Sequence, residues 1–213
     1  MKCEPEMMRL YAVTDRAWLG KQSLCEQVEA ALKGGVACVQ LREKNLDEAD
    51  FLAEAMEISA LCRRYGVPFL INDNVDIALR CHADGVHVGQ EDMQAAKVRQ
   101  RLGPGRLIGV SAHSVEEAMA AEAAGADYLG VGAMFGTSTK KNVRPLTPEI
   151  LKAICQAVEI PVVAIGGIHA RNMAQLAGTG ADGAALVSAI FGAEDIEAEC
   201  RRLRQLSEQV FGK

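Results

Sequence analysis

Val36-Ala37-Cys38-Val39-Gln40-Leu41-Arg42-Glu43-Lys44-Asn45 is an apolar run that turns polar as it ends. Gly34-Gly35 bounds it upstream and Asp47 opens a helical pattern downstream. These are the marks of a buried strand over 36–42 that hands over to a helix. Side chains alternate along a strand, so Gln40, Arg42 and Lys44 share one face while Leu41 and Glu43 share the other. A core has little use for an amide and two cations. An anionic, heterocyclic ligand at the strand's exit would use all three, although a solvated loop explains Arg42 and Lys44 equally well when the stretch is read alone.

The same unit recurs along the chain. Strand-like runs cover 10–14, 69–71, 85–88, 107–110, 128–131, 161–165 and 183–187. Helical spacing fills the gaps, at 23–32, from an Asp47 cap through Tyr65, at 75–81 and at 93–101. It continues from Ser114 to Ala124, with Glu117 three residues past the cap, then from Thr147-Pro148-Glu149, across 170–178 and over 195–210. Two near-equivalent phrases, Gly-Ala-Asp at 125–127 and again at 180–182, mark helix-to-strand turns. Eight apolar strands alternating with helices predict an α/β fold, a (β/α)₈ TIM barrel forming one domain over residues 1–213. A doubly wound sheet is the alternative.

Bulk properties narrow the partners. The chain has 213 residues, 49% of them hydrophobic, enough for one well-buried unit, and a net charge of −5 with its cations scattered. That balance argues against a nucleic-acid surface or an anionic membrane face, and no apolar run approaches the roughly 20 residues of a bilayer span. The acidic N-terminus lacks a signal-peptide core, so a cytosolic protein is expected. Seven separated cysteines without a Cys-x-x-Cys pair read as reduced structural thiols. An apolar outer face on the last helices would suit a homodimer, and ordinary barrel packing explains that face as well.

In such barrels the chemistry gathers at the C-terminal ends of the strands. Those ends carry Gln40, Arg42 and Lys44, then Asn72-Asp73, Asp92, Ser111, the long segment with Thr137-Ser138-Thr139-Lys140, Gly166-Gly167, and Ser188. Asp73 and Asp92 follow strands expected to be neighbours about 5 Å apart, where two carboxylates repel unless a cation lies between them. Hard oxygen ligands of this kind suit Mg²⁺ bridging to a phosphate, while helix capping is the plain alternative for each aspartate. The hydroxyls and lysine at 137–140 can wrap a phosphate, and the loops after the last two strands are the usual phosphate site of the fold. Two anion sites on one rim are expected, one with metal and one without.

The chain resembles the thiamine phosphate synthase family along nearly its whole length. The resemblance rests on YAVTDR (11–16), QLREK (40–44), ND (72–73), GVHVGQED (85–92), GVSAHS (109–114), TSTK (137–140), AIGGI (164–168) and ALVSAIF (185–191). It implies a transferase that joins a hydroxymethylpyrimidine diphosphate to a thiazole phosphate, or its carboxylated form, releasing diphosphate. By motif, Gln40, Leu41, Arg42, Glu43, Lys44, Asn72, Ser111 and Lys140 would hold the pyrimidine diphosphate, with Arg42, Lys44, Lys140 and Ser111 serving the chemistry. Asp73 and Asp92 would bind Mg²⁺, and Thr137, Ser138, Thr139, Gly167, Val187 and Ser188 the thiazole phosphate. Ala133 and Gly136 stand where the family usually has proline, and 141–145 (KNVRP) is unusually basic. A thiazole tautomerase-like isomerase, or a regulatory barrel that binds thiamine phosphates without turnover, is the nearest alternative.

Overall fold

The computed structural model describes residues 2–20, 22–89, 95–136 and 145–212. Eight parallel strands close into a barrel in sequence order: β1 (Leu10–Val13), β2 (Cys38–Leu41), β3 (Phe69–Asn72), β4 (Gly85–Val88), β5 (Leu107–Ala112), β6 (Tyr128–Gly132), β7 (Val162–Ile165) and β8 (Gly183–Leu186). Helices α1 (Pro5–Met8), α2 (Leu24–Lys33), α3 (Glu48–Tyr65), α4 (Val75–Arg80), α5 (Ala95–Leu102), α6 (Val115–Ala123), α7 (Pro148–Ala157), α8 (Ser188–Phe191) and α9 (Ile196–Phe211) accompany them, with 3₁₀ turns at Arg16–Trp18 and Met173–Leu176. The TIM barrel expected from the pattern is the fold observed.

The caps explain where the helices begin. Ser23 and Glu26 form a reciprocal capping box on α2. Asp47, Asn74, Ser114, Thr147 and Asp195 each accept a backbone N–H from the first turn of α3, α4, α6, α7 and α9. After β7 the expected helix over 170–178 is only a 3₁₀ turn, Met173–Leu176. The Asn172 side chain bonds back to the loop before that turn, accepting from His169 N–H at 2.8 Å and donating to Gly167 C=O at 2.9 Å. Such local bonding is the alternative that asparagine offers a helix.

At the opposite end of the barrel one device closes the strands three times. Asp84, Asp127 and Asp182 each precede a strand and donate backbone N–H to a residue on the neighbouring strand, to Phe69, Ile108 and Val162. Each carboxylate then accepts the N–H of that same residue, at 2.9, 2.7 and 2.9 Å. The repeated Ala-Asp phrases are therefore ladder starts, which satisfy N–H groups that would otherwise lie unpaired at the barrel floor.

Two apolar layers form the core. One fills the space between strands and helices, with Leu10, Val39, Leu41, Ile71, Val86 and Leu129 facing outward. The other lies inside the barrel and includes Tyr11, Val13, Cys38, Leu70, Leu107, Tyr128, Val163 and Ala185. The register sets inward residues in rows: Asn72 pairs with His87, His87 with Gly109, and Gly109 with Tyr128. A Cβ at Gly109 would fall within the Tyr128 ring, and one at Gly130 would press on His87. These two glycines empty the space that the large polar side chains occupy.

Candidate active site

The upper part of the barrel is an open cavity of roughly 240 Å³. Gln40, Arg42 and Lys44 line it, as alternation along β2 predicts. Asn72, Asp73, Ser111, Gly167, Val187 and Ser188 line it too, so nine of the residues read as candidates from sequence meet in one cavity. Leu41 and Glu43 point the other way. Leu41 is fully buried in the layer under the helices, and Glu43 joins Arg16 and Glu54 below the rim. Asp92, Thr137, Ser138, Thr139 and Lys140 lie outside the described residues.

β1 braces the exit of β2. Thr14 N–H donates to Gln40 C=O at 3.0 Å, and Thr14 Oγ1 accepts the Arg42 N–H at 3.0 Å. Asp15 Oδ2 lies 3.9 Å from Arg42 Nη1. Arg16 forks beneath the strand, with Nε donating to Glu43 Oε2 at 3.0 Å and Nη2 to Glu54 Oε1 at 2.7 Å. Glu43 Oε1 and Glu54 Oε2 are buried without a partner among the described residues. Burial first, then the Glu43 charge opposing the pull of Arg16, pushes the Glu54 carboxyl up to about 7. Three consecutive residues after β1 thus hold Gln40, Arg42 and Glu43. Arg42 and Lys44 reach the cavity while Glu43 anchors the strand end from below.

At the end of β3, Lys44 Nζ donates to Asp73 Oδ2 at 2.6 Å, and Asn72 Nδ2 donates to the same oxygen. Asp73 has φ of 63°, a left-handed conformation that few residues other than glycine adopt. It does not cap α4, because Asn74 does. Its carboxylate is turned to the cavity, beside a cation, by a backbone conformation that costs energy. A hard oxygen donor so placed fits a divalent cation shared with phosphate oxygens. On the far side, Gly166 and Gly167 have φ of 100° and 65°. A Cβ on either would strike the segment of Ala133 to Gly136, so these glycines let two loops meet over the cavity.

The interior contains a polar line that sequence reading missed. Gln40 Nε2 donates to Tyr11 Oη at 2.8 Å, and Tyr11 Oη lies 2.8 Å from Tyr128 Oη. Tyr128 Oη is 2.9 Å from His87 Nδ1, and His87 Nε2 is 3.0 Å from Ser111 Oγ. Burial pushes both phenols well above the ordinary tyrosine range, so each keeps its proton. Tyrosine within an apolar run reads as core, and His87 reads as a core or loop residue. The signal that could have found the line is the inward parity of Tyr11, Gln40, His87, Ser111 and Tyr128 once eight strands are assigned. No disulfide joins any of the seven cysteines among the described residues, and burial pushes the thiols of Cys3, Cys62 and Cys200 up to about 12 and that of Cys25 to about 11.

Comparison with known proteins converges on one group. A family model described as thiamine monophosphate synthase matches residues 10–190. Thiamine-phosphate synthase of Clostridium acetobutylicum is 48% identical over 193 residues, covering 91% of this chain and 92% of that protein. That of Syntrophomonas wolfei is 49% identical over 201 residues, 94% of this chain and 96% of that protein. Among solved structures, thiamine phosphate pyrophosphorylase from Pyrococcus furiosus superposes with a TM-score of 0.90 at 39% identity, over 98% of this chain and 99% of that one.

Proposed function

The chain belongs to the thiamine monophosphate synthase family, and we propose that its cavity works as two anion sites flanking one pyrimidine pocket. The activity is that of a thiamine-phosphate synthase, a transferase: the methylene carbon of a hydroxymethylpyrimidine diphosphate is joined to the nitrogen of a thiazole phosphate, and diphosphate leaves. Gln40, Asn72 and Ser111 hold the pyrimidine; Arg42, Lys44 and, from outside the described residues, Lys140 hold its diphosphate. Gly167, Val187 and Ser188, with Thr137, Ser138 and Thr139, receive the thiazole phosphate. Glu43 serves from below by holding the strand end, and Leu41 by packing it.

The reaction needs no proton transfer. The carbon–oxygen bond breaks with its electron pair leaving on the diphosphate, and the thiazole nitrogen's lone pair forms the carbon–nitrogen bond. The barrier lies in separating charge, so fixed cations at the leaving oxygen are the main requirement. Arg42 and Lys44 supply them from one strand face, and the cavity walls align the incoming nitrogen. Mg²⁺, held by Asp73 and Asp92, would add neutralising charge at the diphosphate when bound. Lys44, 2.6 Å from Asp73 on the cavity wall, would share the diphosphate with that ion. No helix among the described residues is long and apolar enough to cross a membrane, and seven cysteines without a disulfide among the described residues fit a reducing cytosol.

The observation that carries this reading is the convergence of an amide and two cations from β2 with Asp73 on one side of the cavity and the paired glycines on the other. The test is to mix purified protein with both substrates and Mg²⁺ and to follow diphosphate release. Release that requires both substrates is expected. No release with either form of the thiazole phosphate would overturn the assignment.

A further inference from the structure

The line from Gln40 to Ser111 has a direction. Each hydroxyl has one proton to give, and the amide N–H₂ of Gln40 donates at one end. With the amide donating, the order that satisfies every contact has Tyr11 donating to Tyr128, Tyr128 donating to His87 Nδ1, and His87 Nε2–H facing Ser111. With Nε2 engaged by Tyr11, the Gln40 amide presents its oxygen to a ligand in the cavity. Turning that amide over would require Tyr11 to donate back to it, Tyr128 to donate to Tyr11, and His87 to move its proton to Nδ1. All the links must reverse together. The interior is cut to hold the line, since Gly109 and Gly130 vacate the positions where a Cβ would displace Tyr128 and His87.

We propose that Tyr11, Tyr128 and His87 are positioning residues that lock the Gln40 amide with its oxygen toward the cavity, so that the pocket selects a 4-aminopyrimidine over its 4-oxo counterpart. This rests on the reading of Gln40 as a pyrimidine contact. An exocyclic amine donates to the locked oxygen. A ring carbonyl in its place sets two acceptors face to face, and relief comes only from reversing the line. Sites that pair buried polar groups with one hydrogen-bonding pattern reject the wrong pattern strongly, because the mismatch leaves groups unpaired.

The experiment uses 2-methyl-5-(phosphooxymethyl)pyrimidine in its 4-amino and 4-oxo forms, two monophosphates with a poor leaving group. The dissociation constant of each is measured directly, by titration calorimetry on the purified protein, so that the readout does not depend on turnover. The wild-type protein should bind the amino form at least about tenfold more tightly, the scale of one mispaired buried polar contact. Tyr128→Phe should shrink that ratio by about tenfold, chiefly by tightening the 4-oxo form, because a cut line lets the amide turn at the cost of one hydroxyl rotation. Tyr11→Phe cuts the line at its first link and serves where Tyr128→Phe does not fold. A folded variant of either kind that keeps the wild-type ratio overturns the proposal. A wild-type protein that releases no diphosphate yet prefers the amino form would overturn the assigned reaction and leave the lock standing, so the two failures are distinguishable.

Discussion

Replacing Glu54 by Gln should flatten the fall of stability between pH 5 and 8. Glu54 is packed beneath the rim with Glu43, and the pair shares the single guanidinium of Arg16. Burial is the largest influence on its carboxyl, raising it from 4.5 to about 7. Below about pH 4.5 the folded and unfolded chains both hold this proton, and the site contributes no pH dependence. Above that, the unfolded chain releases the proton while the folded chain retains it, so stability declines until the folded group also titrates near 7. The shift is 7 − 4.5, about 2.5 units, which at about 1.36 kcal/mol per unit caps the loss near 3 kcal/mol. The Glu54 side chain is 16% exposed, and solvent screening brings the working figure to about 1–2 kcal/mol. Gln has no proton to lose and should lack this slope. Urea unfolding of both proteins at pH 5, 6, 7 and 8 gives the comparison, with the wild type losing about 1–2 kcal/mol relative to Glu54→Gln across the range. A difference that stays constant with pH, or moves in favour of the wild type as pH rises, would refute the linkage.

Other perturbations probe the frame and the rim. Gly109→Ala should cost about 2 kcal/mol or more, because its Cβ would occupy the Tyr128 ring position on a neighbouring strand; a melting temperature within a degree of wild type would contradict that packing. Asp182→Ala should lose about 1–3 kcal/mol by leaving the buried Val162 N–H without its carboxylate acceptor, measured by urea denaturation, whereas Asp182→Asn keeps an acceptor and should lose less. Chelation of divalent cations should abolish diphosphate release and leave thiazole phosphate binding within about twofold, as expected if only one anion site uses metal. Equal loss of both would assign the metal to the wrong site.

Much of this was legible in the sequence, for reasons that can be stated residue by residue. Each strand is a short apolar run bounded by glycine, proline or a capping residue, and such runs survive translation into a buried parallel barrel. The alternation of Gln40, Arg42 and Lys44 against Leu41 and Glu43 placed three side chains in the cavity and two beneath it. Tyr11 and Tyr128 were invisible as a pair because 117 residues separate them and only barrel closure brings their hydroxyls together. Arg16 ended a strand in the sequence and became the clamp on Glu43 only when β1 and β2 were set side by side. The 3₁₀ turn at Met173–Leu176 escaped because helical spacing carries no record of Asn172 bonding back to the loop before it.

The proposed division of one rim into a leaving-group site and a separate thiazole phosphate site has a direct test. Arg42→Ala tests it most directly, with turnover and thiazole phosphate binding measured on the same preparation. Arg42 extends from the β2 face into the cavity, across from Gly167 and Ser188, and its backbone remains held by Thr14. Loss of one preorganised cation at the departing diphosphate should lower turnover by about 10²-fold or more. Titration calorimetry with the thiazole phosphate should then give a dissociation constant within about twofold of wild type, since no contact in the second site has been removed. A parallel loss in both measurements would contradict the division of the rim into two sites.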